Sequence, residues 1–380
     1  MSARPNRRAV VVTGIGLVSC IGEGIDAHLA AYASSEPPPV DAVTYAPYPV
    51  HPVAPLALDR QIPKKSDQRQ MEPWQRLGVY AAGLALDAAG VKDDAAFKAA
   101  LHLVVAAGGG ERDYAVDGAI LTGLRDAADP GPYLNERLLN DLRPTLFLAQ
   151  LSNLLAGNIA IVHGVTGASR TFMGEEAAGV DALRIAQARI ASGGVDAMMV
   201  GGSYNAERPD VMVVNELGGY LLKPAYRPVL ERADAGGYVL GSAAAFLVLE
   251  AAEHAEARGA PALARLGPVA SDRTRREPGR VAASVGHLIE AAGVTHPEAV
   301  LTAATGVAPI TAEENEALRR AVPDAPIRAT GDMIGHPIEV AAPFGAALAV
   351  ALCASGRARE VAVSCVGHRR GEGVIRVTSA

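Results

Sequence analysis

Short apolar runs alternate along this chain with longer amphipathic segments, and few folds accommodate that alternation. The runs fall at 9–14 (AVVVTG), 101–108, 197–202, 244–250, 299–304, 360–367 and 373–379. Segments with helical spacing lie near 74–89, 143–162, 177–192, 251–258, 277–292, 311–321 and 340–354. Strands separated by helices bury a sheet on both faces, so the pattern predicts a layered α/β fold. Pro/Gly-rich stretches at 34–55 and 129–138 (DPGPYLNERL) read as surface loops. No low-complexity segment or linker divides the 380 residues. The expectation is one compact domain over 1–380, made of two similar halves, approximately 1–255 and 256–380.

Composition says how such a core must pack. Half of the chain is hydrophobic (49%), yet aromatics make up only 4% and there are 40 glycines. A core this poor in rings is built by close approach of Ala, Val, Leu and Gly backbones. The net charge is −6, and no basic run exceeds the pairs Arg7-Arg8 and Arg369-Arg370, which argues against nucleic-acid binding. The three cysteines, Cys20, Cys353 and Cys365, show no CxxC spacing, so neither a disulfide framework nor a zinc site is expected and a reducing cytoplasm fits best. The opening NRRAVVVTGIGLVSCIG mimics a secretory signal, but Gly14 and Gly16 interrupt it and no Ala-x-Ala site follows. Nowhere is there a charge-free apolar run of the roughly 18 residues that a membrane helix needs.

One junction stands out. In SRTFMGEEAAGVDALRIAQARIASGG (169–194), two adjacent acids, Glu175 and Glu176, open an alanine-rich helix. Acids are favoured in a first turn by the helix dipole. Here, however, the flanking residues are apolar or minimal in size, so at least one glutamate is expected to enter a pocket. Burial then makes it costly unless it is hydrogen-bonded or protonated. Ala177, Ala178 and Gly179 let another backbone approach, which places the helix centrally. Other motifs fall away. Gly14-x-Gly16 after a strand suggests a dinucleotide site, but the third glycine of that fingerprint is Ser19 and no acidic residue follows at the required distance. GGSYN (201–205) lacks a nucleophile elbow, and the nine histidines include no HExxH. His336, in GDMIGHPIE, is the most interesting of them, between a glycine and a small-residue helix, although taken alone it reads as a satisfied structural histidine.

With these pieces in order, the chain resembles the β-ketoacyl synthase family of the thiolase fold. The resemblance runs from RRAVVVTGIGLVSCIG through LAQLSNLLAGNIAIVHGVTGAS, GGVDAMMVGGS, RPVLERADAGGYVLGSAAAFLVLE and GDMIGHPIEVAAPFGAALAVALC to VGHRRGEGVIRV. It implies two βαβ halves in a layered α/β/α/β/α core. In active members a cysteine opens the buried helix and carries the acyl chain as a thioester. Glu176 stands at that position. Two histidines complete the family's site by promoting decarboxylation of malonyl carrier protein and stabilising the enolate. One corresponds to His336. Thr305 stands at the other, and Gly331 replaces a supporting lysine.

This pattern resembles the chain-length factors, the non-acylating β-subunits of paired ketosynthases. These typically carry glutamine where this chain has Glu176. The resemblance implies a cysteine-bearing ketosynthase as heterodimer partner, an acyl carrier protein as second partner, and no cofactor or metal. It also places 144–158 at the dyad, with Phe147, Gln150 and Leu151 at the interface or tunnel. The alternative is a malonyl-carrier-protein decarboxylase, or priming enzyme, using Glu176 and His336.

Overall fold

The computed structural model describes residues 7–223, 226–232 and 236–380. Part of the RPVLERADAGG stretch, 233–235, therefore lies outside the described residues. Among the described residues the main sheet has eleven strands, ten of them in its continuous order. The first five are β1 (Val10–Ser19), β2 (His102–Ala106), β3 (Ser169–Phe172), β4 (Ala197–Tyr204) and β5 (Ala243–Ala251). The second five are β6 (Ala264–Asp272), β7 (Ala299–Thr302), β8 (Ile327–Ala329), β9 (Glu360–Val366) and β10 (Glu372–Thr378). A two-residue strand, Gly22–Glu23, folds back on β1.

Across the sheet the order is β8-β7-β9-β10-β6-β1-β5-β4-β2-β3. Outward from the β1–β6 pair, each half shows two antiparallel pairings and then two parallel ones. The two halves share one topology, as expected.

Helices complete the layers. Those used below are α1 (Pro73–Ala88), α2 (Tyr114–Asp126), α3 (Pro130–Asn140), α4 (Leu146–Ala149) and α5 (Leu154–His163), then α6 (Glu176–Ala191), α7 (Pro209–Leu217), α8 (Arg280–Ala291), α9 (Ile310–Ala321) and α10 (Ala341–Ala354). Three hydrophobic clusters mark the interfaces between layers. α1 and α5 cover one face of β2, β4 and β5. α8 and α9 cover the matching face of β7, β9 and β10. The largest cluster fills the middle, where α6 and α10 lie between the two halves. α10 is buried on nearly every side, as its almost wholly apolar sequence requires. Gly179 makes the close approach possible: a Cβ there would sit 2.4 Å from the Glu339 carbonyl oxygen.

The structure corrects several expectations. β1 does not stop at Gly14 but continues through both glycines to Ser19. They face α1, where a Cβ at Gly14 would lie 2.3 Å from the Ala85 carbonyl oxygen and one at Gly16 2.0 Å from that of Ala81. The glycines serve helix–strand contact, and no phosphate-cradling loop follows them. Gly16→Ala is expected to cost about 3 kcal/mol of unfolding free energy by overpacking this contact, measured as a lower denaturation midpoint. The 129–138 stretch is not a loop but most of α3, started by the Asp129 side chain accepting from Gly131 N (3.3 Å) and by Pro130 in its first turn. The helix expected over 143–162 is two, α4 and α5, separated at 150–153. The strand-like stretch before Glu175 is β3, though it is polar rather than apolar, and the apolar pattern marks neither β6 nor β8. β3 is short and polar at a sheet edge, and β6 contains Gly267 and Pro268, which disguise a strand.

Candidate functional site

The topology brings the N-terminus of α6 against the segment that leads into α10. Gly174 (φ 133°) and Glu175 (φ 58°, ψ −145°) make the sharp entry to α6. A positive φ at a non-glycine residue costs on the order of 1–3 kcal/mol and is a hallmark of functional sites. Arg369 pairs with the Glu175 carboxylate at 3.2 Å. The next side chain, Glu176, is fully buried, with 0% exposure.

Glu176 Oε1 accepts two hydrogen bonds, from His336 Nε2 at 2.8 Å and from His368 Nδ1 at 3.0 Å. Burial disfavours the Glu176 anion, but the hydrogen bonds from His336 and His368 outweigh it and hold the carboxyl well below the usual carboxylate range. An ionised carboxylate only accepts, so both of these nitrogens carry hydrogen. Glu176 Oε2 has no hydrogen-bond partner. It faces Gly367, where a Cβ would lie 3.0 Å away.

Aromatic rings fix the two imidazoles. Tyr238 lies 5.0 Å from His336 and 5.6 Å from His368, and Tyr220 lies 4.4 Å from His368 edge-on. The Tyr238 hydroxyl donates to Asn215 Oδ1. The His336 backbone N–H donates to the Val239 carbonyl at 2.7 Å, which ties the histidine to the strand pairing beside it.

Glu176 and His336 are thus brought together, with His368 as a third member. The motif VGHRRGEG does not by itself single out its histidine. The available signal was a second Gly-His pair after a strand, Gly367-His368, matching Gly335-His336. Thr305 is buried in the turn after β7, where its Oγ1 accepts from Val307 N at 3.2 Å. No described hydrogen bond joins it to Glu176 or either histidine. At Gly331 a Cβ would come 3.1 Å from Val229 Cγ2, so a long side chain there would need its surroundings to move. Phe147 on α4 is 69% exposed, while Gln150 and Leu151 are half-buried. The segment rests on the loop after β2, where Gly110 N donates to the Gln150 carbonyl at 3.3 Å.

A cavity of about 270 Å³ opens beside Glu176, lined by Gly108, Tyr204, Arg208, Glu339 and His368 among others. Glu339 follows His336 by three residues and was not foreseen. Burial pushes its carboxyl up to about 7, helped by the charges of Glu176 and Glu175. None of the three thiols is available as a nucleophile. All are buried, and desolvation pushes Cys20 and Cys353 up to about 12 and Cys365 well above its usual value.

A duplicated five-stranded layer around two central helices, with a buried polar residue at the tip of one and histidines facing it, defines a thiolase-like ketosynthase fold. Residues 7–255 match the β-ketoacyl synthase N-terminal domain, and the chain belongs to the β-ketoacyl synthase family. Among curated relatives, the 3-oxoacyl-[acyl-carrier-protein] synthase 2 of Vibrio cholerae is 27% identical over 266 residues, 67% of this chain and 61% of that protein. That of Vibrio harveyi is 28% identical over 272 residues, 69% and 62% respectively. The matches thus span about three fifths of those relatives' length.

Solved structures share the fold across 98% of this chain. The ishigamide ketosynthase/chain length factor superposes with TM-score 0.80 at 22% identity, covering all of that chain. A β-ketoacyl synthase from Burkholderia phymatum gives 0.80 at 19%, also covering all of that chain. A type II polyketide-synthase acyl-carrier protein in complex with its ketosynthase gives 0.76 at 17%, again with full coverage. Among the described residues, no helix is long and apolar enough to cross a membrane.

Proposed function

We propose that this chain is a non-acylating, chain-length-factor-like subunit that pairs with a cysteine-bearing ketosynthase in specialised fatty acid or polyketide synthesis. The observation that carries this reading is the Glu176–His336–His368 cluster. Glu176 takes the nucleophile's place at the tip of the buried helix, with Thr305 and Gly331 in place of the family's histidine and lysine. A carboxylate there forms no thioester, and the three cysteines are buried with their thiols protonated. The cluster also weighs against independent decarboxylation by Glu176 and His336. An enolate needs hydrogen-bond donors aimed at developing negative charge. Here the available N–H groups of both histidines already serve a resident anion, which would repel a second one.

Surface features support a partner. β3 leaves one edge of the sheet open, and unpaired strand edges are places where another chain adds on. Phe147, Leu148, Ile161 and Met173, on segments that precede or follow β3 in sequence, are all exposed. Apolar surface of this kind marks interaction sites. The acyl carrier protein is the expected second partner, delivering substrate to the pair.

Purified alone and incubated with malonyl carrier protein, the chain is expected to release no acetyl product and to take up no acyl group, followed by intact-protein mass spectrometry. Acetyl carrier protein formed by this chain, and lost in Glu176→Gln, would instead establish the decarboxylase. With its cysteine-bearing partner and a carrier protein, the pair is expected to condense.

A further inference from the structure

The loop after β2, residues 108–111, is gripped from two sides. On one side stands Arg208, just before α7, with only 5% of its surface exposed. Its guanidinium makes four hydrogen bonds. Nη1 donates to the Gly109 carbonyl at 3.2 Å and Nη2 to the Gly110 carbonyl at 2.8 Å. Nε and Nη2 donate to the two carboxylate oxygens of Asp210, at 3.1 and 2.6 Å. Asp210 is fixed in turn by the Tyr114 hydroxyl, which donates to its Oδ1 at 2.5 Å. Gripping a carboxylate and two successive carbonyls at once takes the planar fork of an arginine, which a lysine does not have.

On its other side the loop supports the segment 146–151. Gly110 N donates to the Gln150 carbonyl at 3.3 Å. A Cβ at Gly110 would lie 2.1 Å from the Ala149 carbonyl oxygen and 2.3 Å from Gln150 Cα, so the two backbones are in direct contact. Glu111 steadies the same loop, its Oε1 accepting from Trp74 N at 3.1 Å and from Asn205 Nδ2 at 3.0 Å. Asn205 and Arg208 both lie just after β4, so one short stretch of chain holds the loop at Gly109, Gly110 and Glu111. The supported segment carries Phe147 and Leu148, both exposed.

We propose that Arg208 is a positioning residue: through Gly110 it fixes the segment 146–151, and with it the apolar surface offered to the partner subunit. That this surface meets a ketosynthase rests on the pairing proposed above; the grip on the segment does not. Arg208 also lines the cavity beside Glu176, so the mouth of α6 and the pairing segment share one support.

Hydrogen–deuterium exchange of the isolated full chain tests the grip without any partner. The amides of Ala149, Gln150 and Leu151 are bonded within the segment, to the carbonyls of Thr145, Leu146 and Leu148. Arg208→Lys keeps a cation beside Asp210 but loses the fork. It is expected to speed exchange of these amides about 10-fold, as the loss of a hydrogen bond to a charged group does. On the same time scale β1 and α10 are expected to stay protected in both proteins, which separates positioning from a general loss of stability. Binding of Arg208→Lys to the cysteine-bearing ketosynthase is expected to weaken about 10-fold, because the segment must then be ordered on association. Unchanged exchange at 149–151 overturns the proposal, and so does a speed-up shared by β1 and α10. A loosened segment with unchanged partner affinity also overturns it. Should Arg208→Lys not fold, Asp210→Ala removes the anchor of the fork instead, and unchanged exchange in that variant overturns the proposal. A wild-type chain that does not bind the ketosynthase defeats the pairing, while the exchange result still decides the role of Arg208.

Discussion

Glu176→Leu is expected to lose about 3–5 kcal/mol of unfolding free energy, the cost of removing one partner from a buried charged group. The two histidines, His336 and His368, would remain buried with N–H groups aimed at a methyl-bearing side chain. Glu176→Gln is expected to be tolerated, at about 1–2 kcal/mol. Its amide oxygen can take the place of Oε1 and accept both bonds, and its NH2 falls where Oε2 already has no partner. Chemical denaturation of the three proteins reads the difference directly. A Leu variant as stable as Gln would mean that the histidines do not depend on the acid.

The same cluster sets a pH dependence. The folded-state pKa of Glu176 is depressed below that of an unfolded glutamate, about 4.3. Its contribution is therefore complete above that value and is lost as pH falls through the lower folded one. The Leu variant, lacking the group, is expected to lie closest to the wild type at the acid end. On the proposed assignment, in which Thr305 and Gly331 stand where the active family has its histidine and lysine, Glu176→Cys is expected not to restore condensation.

On the proposed pairing with a cysteine-bearing ketosynthase through the segment that holds Phe147, Phe147→Asp is expected to abolish that pairing. An obligate interface of this kind buries on the order of 2,000 Å² or more of largely apolar surface, and a carboxylate at its centre would be desolvated without a partner. Size-exclusion chromatography of the co-expressed chains is the measurement. If Phe147 is the proposed tunnel stop, Phe147→Ala should preserve the complex and shift its products to longer chains, since that ring would be gone. In the isolated chain Phe147 is 69% exposed, so neither substitution is expected to unfold it, and loss of pairing will report on the surface alone. A complex that survives Phe147→Asp would move the interface elsewhere. Unchanged product lengths in Phe147→Ala would remove only its role as a tunnel stop.

Much of the layered core could be read from one dimension, because period and residue size are local properties. The apolar runs at 197–202 and 244–250 lie within β4 and β5, that at 360–367 spans β9 and one residue beyond, and the small-residue start of α6 announced a helix packed against another backbone. Glu176 and His336 were identifiable as candidates for the same reason: each stands beside small residues at the mouth of a helix.

Long-range geometry was not legible. Whether Gly14 and Gly16 break a strand or admit a helix depends on α1, more than 60 residues away, whose carbonyl oxygens lie where their Cβ atoms would be. β3 pairs only along one edge and carries polar residues, so no hydrophobic pattern marks it. The meeting of Glu176 with His336 and His368 joins residues 160 and 192 positions apart. It exists because the duplicated strand order sets the mouths of α6 and α10 side by side and returns the end of β9 to the same place. The sequence by itself determined which residues were able to carry charge into the core. Only the tertiary structure decided which of those charges are paired, with Glu176 given two histidine donors and Glu339 left with one oxygen that has none, because the hydrogen-bonding partners of a buried acid come from whichever strands and helices the fold brings within 3 Å of it.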